Sequence, residues 1–270
     1  MKVSSLIGLV IAIAGIFLGA TLEGSNALAV LNLPAMLIVL GGTLGATIAG
    51  SNFEAIKNIP KLYMKVFSAA PQDLIGKVGE LVGYAEAARR DGLLALDEVT
   101  NSIEDPFTRK GLQLVVDGTD PDLVADILES ENAAMRKRHA MGAAPFDKAG
   151  GYAPTMGIVG TVYGLIHVLG NLNQPETLGP MIAAAFLATL CGVGAANVVF
   201  IPIGTRLKQL SVEELHAREL VVEGILAIQA GDNPRVVQEK LLTFVPPSQR
   251  PADGESVTAG AGAGAAKAAA

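Results

Sequence analysis

The chain has 270 residues, half of them hydrophobic, with a positive mean hydropathy, no Trp and a formal net charge of −6. That balance belongs to membrane chains rather than water-soluble ones and argues against a nucleic-acid partner. The single cysteine, Cys191, excludes an intrachain disulfide, and its apolar surroundings in the sequence read as those of a small packing residue. No P-loop, Rossmann glycine pattern, HExxH, zinc-type Cys/His spacing or G-x-S-x-G elbow is present, so no enzyme class is indicated.

In chain order, Val3–Leu22 is uncharged and apolar, and Ala27-Leu28-Ala29 resembles a signal-peptidase site. The apolar core, however, exceeds the roughly 7–15 residues of a signal peptide, and a second apolar stretch, Leu28–Gly50, follows at once. The pair therefore reads as two transmembrane helices joined by a turn at Glu23–Ala27, with Pro34 in the first turn of the second. Gly41-Gly42-Thr43-Leu44-Gly45 lies inside that span and reads as a helix-packing surface.

Within Asp73–Ala88, Leu74, Ile75, Val78, Leu81, Val82 and Ala85 recur at three- and four-residue spacing, the mark of a helix with one buried face. Gly92 breaks it, a short helix follows over Leu93–Ile103, and a third covers Pro106–Asp117 before Gly118 stops it. Thr119-Asp120-Pro121-Asp122 starts another helix, which continues through Leu123, Ile127 and Leu128 toward the next apolar run. No strand is indicated.

Two apolar runs then follow, Tyr152–Leu172 and Leu178–Gly204, linked by Asn173-Gln174-Pro175-Glu176. Each is about the twenty residues that cross a bilayer core, so they read as a transmembrane hairpin. From Ala149 to Gln174 and from Thr177 to Thr205 there is no Asp, Glu, Lys or Arg, yet there are hydroxyls (Thr155, Thr161 and Thr189), an amide (Asn197), and a proline near one end of each helix (Pro154 and Pro202). Small residues such as Gly157, Gly160, Gly164, Ala184, Ala188, Gly192 and Ala195 let helix backbones approach closely. Thr161 and Thr189 both lie about fourteen residues from Pro175, which predicts equal depth. Pro154 and Pro202 each free a backbone carbonyl; a functional kink and a plain bend are both compatible with that.

Beyond the last span, Val212–Ala230 and Val236–Phe244 are amphipathic, and Ser248–Ala270 lacks the apolar mass to fold and is expected to be disordered. Lys2, Lys57, Lys61, Lys65, Arg136-Lys137-Arg138, Lys148, Arg206 and Lys208 flank the same ends of the spans, whereas the two short turns hold no Lys or Arg. The positive-inside rule then places both termini in the cytoplasm. The expected fold is an all-α polytopic membrane protein with four transmembrane helices. Its segments are a first hairpin over 1–50, a cytoplasmic helical domain over 51–148, a second hairpin over 149–205, cytoplasmic helices over 206–247 and a tail over 248–270.

The spans are almost free of ionisable groups: Glu23 sits at an edge, and His167 reads as a neutral packing residue. A protein that moves ions alone generally carries a carboxylate in the bilayer. Either this chain moves none, or a second polypeptide supplies the acid. In the soluble part, Arg89-Arg90-Asp91-Gly92-Leu93-Leu94-Ala95-Leu96-Asp97-Glu98 sets two cations at a helix end and two acids on the next helix. A solvated surface with cations complementing the helix dipole and a charged docking site both fit this pattern.

The stretches LPAMLIVLGGTLGATI, ARRDGLLALDE, GGYAPTMGIVGTVYGLIHVL and AAAFLATLCGVGAANVVFIPIGTRL, in this order, resemble the MotA/PomA family of flagellar-motor stator subunits. The resemblance covers about Met1–Pro247. It implies a ring, a homopentamer, around a dimer of a MotB/PomB-type partner whose single transmembrane helix carries the ion-accepting Asp. It implies that Pro154 and Pro202 couple ion passage to conformational change. Arg89, Arg90 and Asp97, with Glu98 adjacent, would engage the rotor protein FliG; Arg90 stands where some members have Lys and keeps the sign. Thr161 and Thr189 match hydroxyl positions of sodium-driven members, so the transported ion is expected to be Na⁺, with H⁺ the alternative, and no bound cofactor or metal is expected. The location implied is the bacterial inner membrane. The rival is an ExbB/TolQ-type proton channel subunit, which would have three spans, an external N-terminus and no Arg/Asp motif; a scaffold without ion flux is a further alternative.

Overall fold

The computed structural model of the chain describes residues 2–22, 24 and 32–251, with side chains from residue 7. Most of the expected turn at Glu23–Ala27, the start of the second apolar stretch at Leu28 and the tail from residue 252 lie outside the described residues. Among the described residues every regular element is helical. The principal helices are α1 (Lys2–Leu22), α2 (Leu33–Met36), α3 (Gly42–Ala49), α4 (Phe53–Lys57), α5 (Ile59–Ser68), α6 (Leu74–Asp91), α7 (Leu96–Thr100), α8 (Pro106–Val116), α9 (Pro121–Leu169), α10 (Pro175–Gly194), α11 (Ile201–Gln229) and α12 (Pro234–Leu242). A π turn, Leu37–Gly41, joins α2 to α3, and a second, Ala195–Phe200, joins α10 to α11.

The chain divides into two compact units, residues 1–70 with 138–210, and residues 71–137 with 211–270. In the first unit α1 packs on α5 and on the second π turn, while α10 packs on α2 and the first π turn. Nearly all exposed large apolar side chains among the described residues belong to this unit, including Ile11, Leu18, Leu37, Tyr163, Ile166 and Phe186; the exceptions are Leu94, Leu123, Val212 and Val236. An apolar surface of that extent is one that lipid or protein covers. The helix of residues 121–169 and the helical stretch of residues 175–229 are long and apolar enough to cross a membrane, whereas the apolar segments Ile7–Leu22 and Leu33–Ala49 are shorter.

The second unit has a conventional core. Val78, Leu81 and Val82 of α6, Phe107 and Leu112 of α8, Leu128 of α9, Leu220, Ile225 and Ile228 of α11, and Leu241 of α12 are buried together. The Arg218 guanidinium lies over the Phe107 ring, 4.6 Å from its centroid, a cation–π contact at the edge of this core. Asp73 caps α6 by accepting from Gly76 N–H, and Gly92 ends it at φ 85° and ψ 165°, a conformation almost confined to glycine that costs other residues about 1–3 kcal/mol. Gly118, also at positive φ, ends the turn after α8 as expected.

Three boundaries differ from expectation. Leu93–Ile103 is not one helix but a 3₁₀ turn, Leu93–Ala95, followed by α7, which stops at Thr100. There the side chains of Thr100 and Asn101 turn back onto the Asp97 carbonyl and that of Ser102 onto the Val99 carbonyl, competing with helix continuation. Pro175 is the first helical residue of α10 rather than part of the link, because its missing N–H costs nothing there. The last apolar run and the amphipathic segment after it are continuous, since residues 205–211 offer neither Gly nor Pro to stop α11.

Asp105 caps α8 and illustrates how the second unit is held. Its carboxylate accepts from Phe107 N–H at 3.3 Å, from the Thr108 hydroxyl at 2.7 Å and from the Lys77 amine at 3.4 Å. Burial pushes its pKa up, but the Thr108 hydroxyl, the Lys77 charge and the Phe107 N–H outweigh burial and hold it below the usual carboxylate value. A lowered folded-state pKa contributes stability that is present above the unfolded value of about 3.9 and is lost as pH falls through the folded value. Asp105→Ala should cost about 1 kcal/mol at neutral pH. In thermal melts followed by circular dichroism, its gap from the parent chain should close as pH is lowered from about 4.

Candidate functional site: the hydroxyl pair of the apolar hairpin

The polar centre of the first unit forms where α9 meets α10. Two rows of small residues, Gly157, Gly160 and Gly164 on α9 and Ala185, Ala188 and Gly192 on α10, make the contact. A Cβ placed on Gly157 would stand 2.9 Å from the Ala188 carbonyl oxygen, on Gly160 2.8 Å from Ala188 Cβ, and on Gly164 2.7 Å from Ala185 Cβ. The backbones are as close as the side chains permit, the small-residue packing that apolar helices use in place of a hydrophobic driving force. Ala35 and Val39, from the second apolar stretch, bury themselves against Ala188 and close one side.

That closeness brings the two threonines together. Thr161 Oγ1 and Thr189 Oγ1 are 2.5 Å apart. Thr161 Oγ1 also lies within hydrogen-bond reach of the Ala185 carbonyl across the interface, at 3.0 Å, and of the Gly157 carbonyl one turn back on its own helix, at 3.1 Å. Thr189 Oγ1 reaches the same Gly157 carbonyl at 3.5 Å. Four oxygens therefore converge at one level, two hydroxyls and two carbonyls. No carboxylate lies in either helix between residues 149 and 174 or between 177 and 205. Oxygen donors of this kind suit a hard cation such as Na⁺, but without an anion they do not balance its charge.

The two prolines sit near a second contact. A Cβ on Gly150 would stand 2.7 Å from Ile201 Cγ1, so Pro202 adjoins this contact and Pro154 follows it by one helical turn on α9. Pro154, inside α9, has no N–H for the Gly150 carbonyl. Pro202 opens α11 directly after the π turn Ala195–Phe200, so the widened turn absorbs its missing donor. Next to the contact, Lys208 pairs with Asp147 at 2.7 Å, and the Lys148 amine donates to the Gly50 carbonyl. Among the described residues Thr155 and Asn197 donate to carbonyls one turn back, those of Tyr152 and Val193, and His167 is exposed.

In the second unit, Arg89, Arg90, Asp97 and Glu98 are all exposed around the Gly92 turn, while Leu96 between them is fully buried and fixes the turn to the core. Among the described residues no ion pair joins the two arginines to Asp97 or Glu98. Arg90 pairs instead with Asp91, Nη2 to Oδ2 at 2.8 Å; that hydrogen bond raises the guanidinium pKa and lowers the carboxyl one. Leu94, 77% exposed, stands in the midst of these charges. Sequence reasoning overlooked Asp91, the Asp147–Lys208 pair and both π turns. The only signal for Asp91 was its adjacency to Arg90. Thr43, fully buried in α3 with no partner for its hydroxyl among the described residues, was also missed.

Among the described residues the chain is all-helical, with a hairpin free of acids and a converged pair of hydroxyls, and the comparisons give the class of protein to which it is similar. The family described as the MotA/TolQ/ExbB proton channel family matches residues 99–220, and Motility protein A N-terminal matches residues 6–75. Motility protein A of Bacillus subtilis (strain 168) is 37% identical over 251 residues, covering 93% of each chain. Chemotaxis protein PomA of Vibrio alginolyticus is 37% identical over 253 residues, covering 93% of this chain and 98% of PomA. The flagellar MotAB stator complex from Bacillus subtilis aligns with a TM-score of 0.87 at 37% identity, over 93% of this chain and 100% of the matched one. The chain belongs to the MotA/PomA family of motility proteins.

The packing argument makes a prediction. A side chain on Gly192 would run into the Ala153 carbonyl, whereas Gly194 has open space around it. Gly192→Val should destabilise the purified chain by about 1–3 kcal/mol, measured as thermal unfolding in detergent, and Gly194→Ala should leave it unchanged or slightly more stable.

Proposed function

We infer that the chain is the A-type, ion-conducting subunit of a flagellar-motor stator, and that it turns an ion gradient into torque together with a B-type partner. The observation that carries this is the converged Thr161–Thr189 hydroxyl pair in a hairpin without an acid. Such a site coordinates a cation only when another polypeptide brings the negative charge. The solved relatives are MotAB complexes, which supports a partner of that kind and an oligomeric assembly; on this reading the A-type chains form a pentameric ring around a B-type dimer. The ExbB/TolQ alternative is not favoured, because the motility protein A relatives match over 93% of the chain, including its N-terminal part.

On this reading four helices cross the bacterial inner membrane, both termini are cytoplasmic, and two short turns face outward. The basic residues near the span ends support that orientation. An ion reaches the partner's Asp beside Thr161 and Thr189 and neutralises it, removing a costly buried charge. The helix packing preferred around Pro154 and Pro202 then changes and the ring advances. Arg89, Arg90, Asp97 and Glu98 transmit the step to charged residues of FliG, and their shared exposure around one turn supports that role. The hydroxyl pair favours Na⁺ over H⁺, because two hydroxyl oxygens and two carbonyls replace part of the water shell of a metal ion and offer nothing particular to a proton.

The test is swimming speed in a strain lacking its own A-type subunit and rescued by this chain with its B-type partner. Speed should rise with external sodium at constant pH and saturate. In Thr161→Ala the half-saturating sodium concentration should rise about tenfold, the worth of one hydroxyl contact to a charged group. Speed that ignores sodium and collapses with a protonophore assigns the ion as H⁺, and an unchanged sodium response in the variant removes Thr161 from the pathway.

A further inference from the structure

The first unit carries a second polar feature that the hydroxyl pair does not explain. Where α3 ends at Gly50 the chain turns into α4 and α5, and a groove of about 450 Å³ opens between these helices and residues 138–142 of α9. Its floor is set by a close contact: a Cβ on Gly142 would stand 3.1 Å from Leu62 Cδ1. On the α5 side Lys61 and Lys65 line the groove, and on the α9 side Arg138 and His139 do, one turn before Gly142. Lys61 and Lys65 are four residues apart on α5, so they share one stripe. The only carboxylate lining the groove is that of Glu54.

Like charges gathered in one groove repel each other, and among the described residues neither Lys61 nor Arg138 has an ion-pair partner. The surroundings are those of a membrane surface. Met141 lines the groove and is 46% exposed, and Phe53, Tyr63 and Met64 are exposed on α4 and α5. Beneath the groove α5 is seated on the first unit's core, where Val66 is buried with Ala143, Phe146, Ile203 and Leu207 and Leu62 packs against them. Basic residues in a groove that Met141 also lines, within a unit whose surface carries exposed apolar side chains, match the chemistry of an anionic lipid: phosphate against the cations, acyl chain against the apolar surface.

We propose that this groove binds the headgroup phosphate of an anionic phospholipid, seated by Lys61 and Arg138 at the cytoplasmic surface. The site rests on the membrane reading of the chain and goes beyond it, since no ion pathway or rotor contact requires it. Lipid held there ties α5 to α9 just where α9 leads into the hairpin.

The experiment is native mass spectrometry of the full chain in detergent, titrated with phosphatidylglycerol or phosphatidylcholine. The parent chain should retain phosphatidylglycerol and not phosphatidylcholine. Lys61→Gln with Arg138→Gln should weaken retention about thirtyfold, since each basic residue at a membrane surface contributes about a fivefold preference. Lys61→Arg with Arg138→Lys should restore it, and the circular dichroism of both double variants should match the parent. Equal retention of phosphatidylglycerol by the Gln variant overturns the proposal, as does equal retention of the two lipids by the parent. Displacement of the lipid by inorganic phosphate at matching concentration also overturns it and marks a soluble-anion site. Alkaline carbonate extraction separates the two layers of the argument. A chain released from cell membranes by carbonate removes the membrane reading and the lipid site with it, whereas a retained chain with charge-independent lipid binding removes the lipid site alone.

Discussion

The contact between α9 and α10 is the constraint from which the rest of the arrangement follows. With Gly157 facing the Ala188 carbonyl and Gly164 facing Ala185, the two backbones are separated by little more than hydrogen atoms. Only at that spacing do a threonine on each helix and a carbonyl from each helix meet at one level. Each hydroxyl has one proton to give and lone pairs left over, so the cluster satisfies itself and keeps oxygen lone pairs unused. Larger residues in the two rows would part the helices and scatter the oxygens.

The same contact explains why the ends of the hairpin are built differently from its middle. Near Pro154 and Pro202 the backbone loses donors, and a π turn stands directly before the second proline. Close by, Asp147 and Lys208 form an ion pair. The middle of the hairpin is thus tightly packed, whereas its end near the prolines lacks backbone donors. The second unit contrasts with this. Its core is a set of buried, mostly aliphatic side chains, its helices α6 and α8 are capped by Asp73 and Asp105, and Arg89, Arg90, Asp97 and Glu98 are exposed around a turn anchored by Leu96.

Much of this was legible in the sequence because the signals were local. The three-and-four spacing of Val78, Leu81, Val82 and Ala85 marks a helix face, and that face is buried. Counting outward from Pro175 predicted that Thr161 and Thr189 share a level, and their oxygens are in contact. The turn at Gly92 and the stop at Gly118 followed from residues that tolerate positive φ. What escaped depended on neighbours. Nothing in LIVLG or AANVVF distinguishes a π turn from an α-helix, because the widened ring depends on the surroundings of the segment, in the second case on Pro202 just after it. The end of α7 turned on side chains of Thr100 and Asn101 choosing the Asp97 carbonyl, a competition that periodicity does not reveal. The Arg90–Asp91 pair lay in plain view but could not be told from a solvated charge cluster without coordinates.

The central claim is that this chain supplies oxygen ligands and shape, while the negative charge that captures the ion comes from a partner. Reconstitution into liposomes with an imposed sodium gradient tests it most directly, comparing the chain alone with the chain co-assembled with its B-type partner. The account predicts no flux above empty liposomes for the chain alone, and flux with the partner that is lost when the carboxylate of the partner's transmembrane helix is replaced by an amide. Rapid, selective sodium or proton flux through the chain by itself would contradict it.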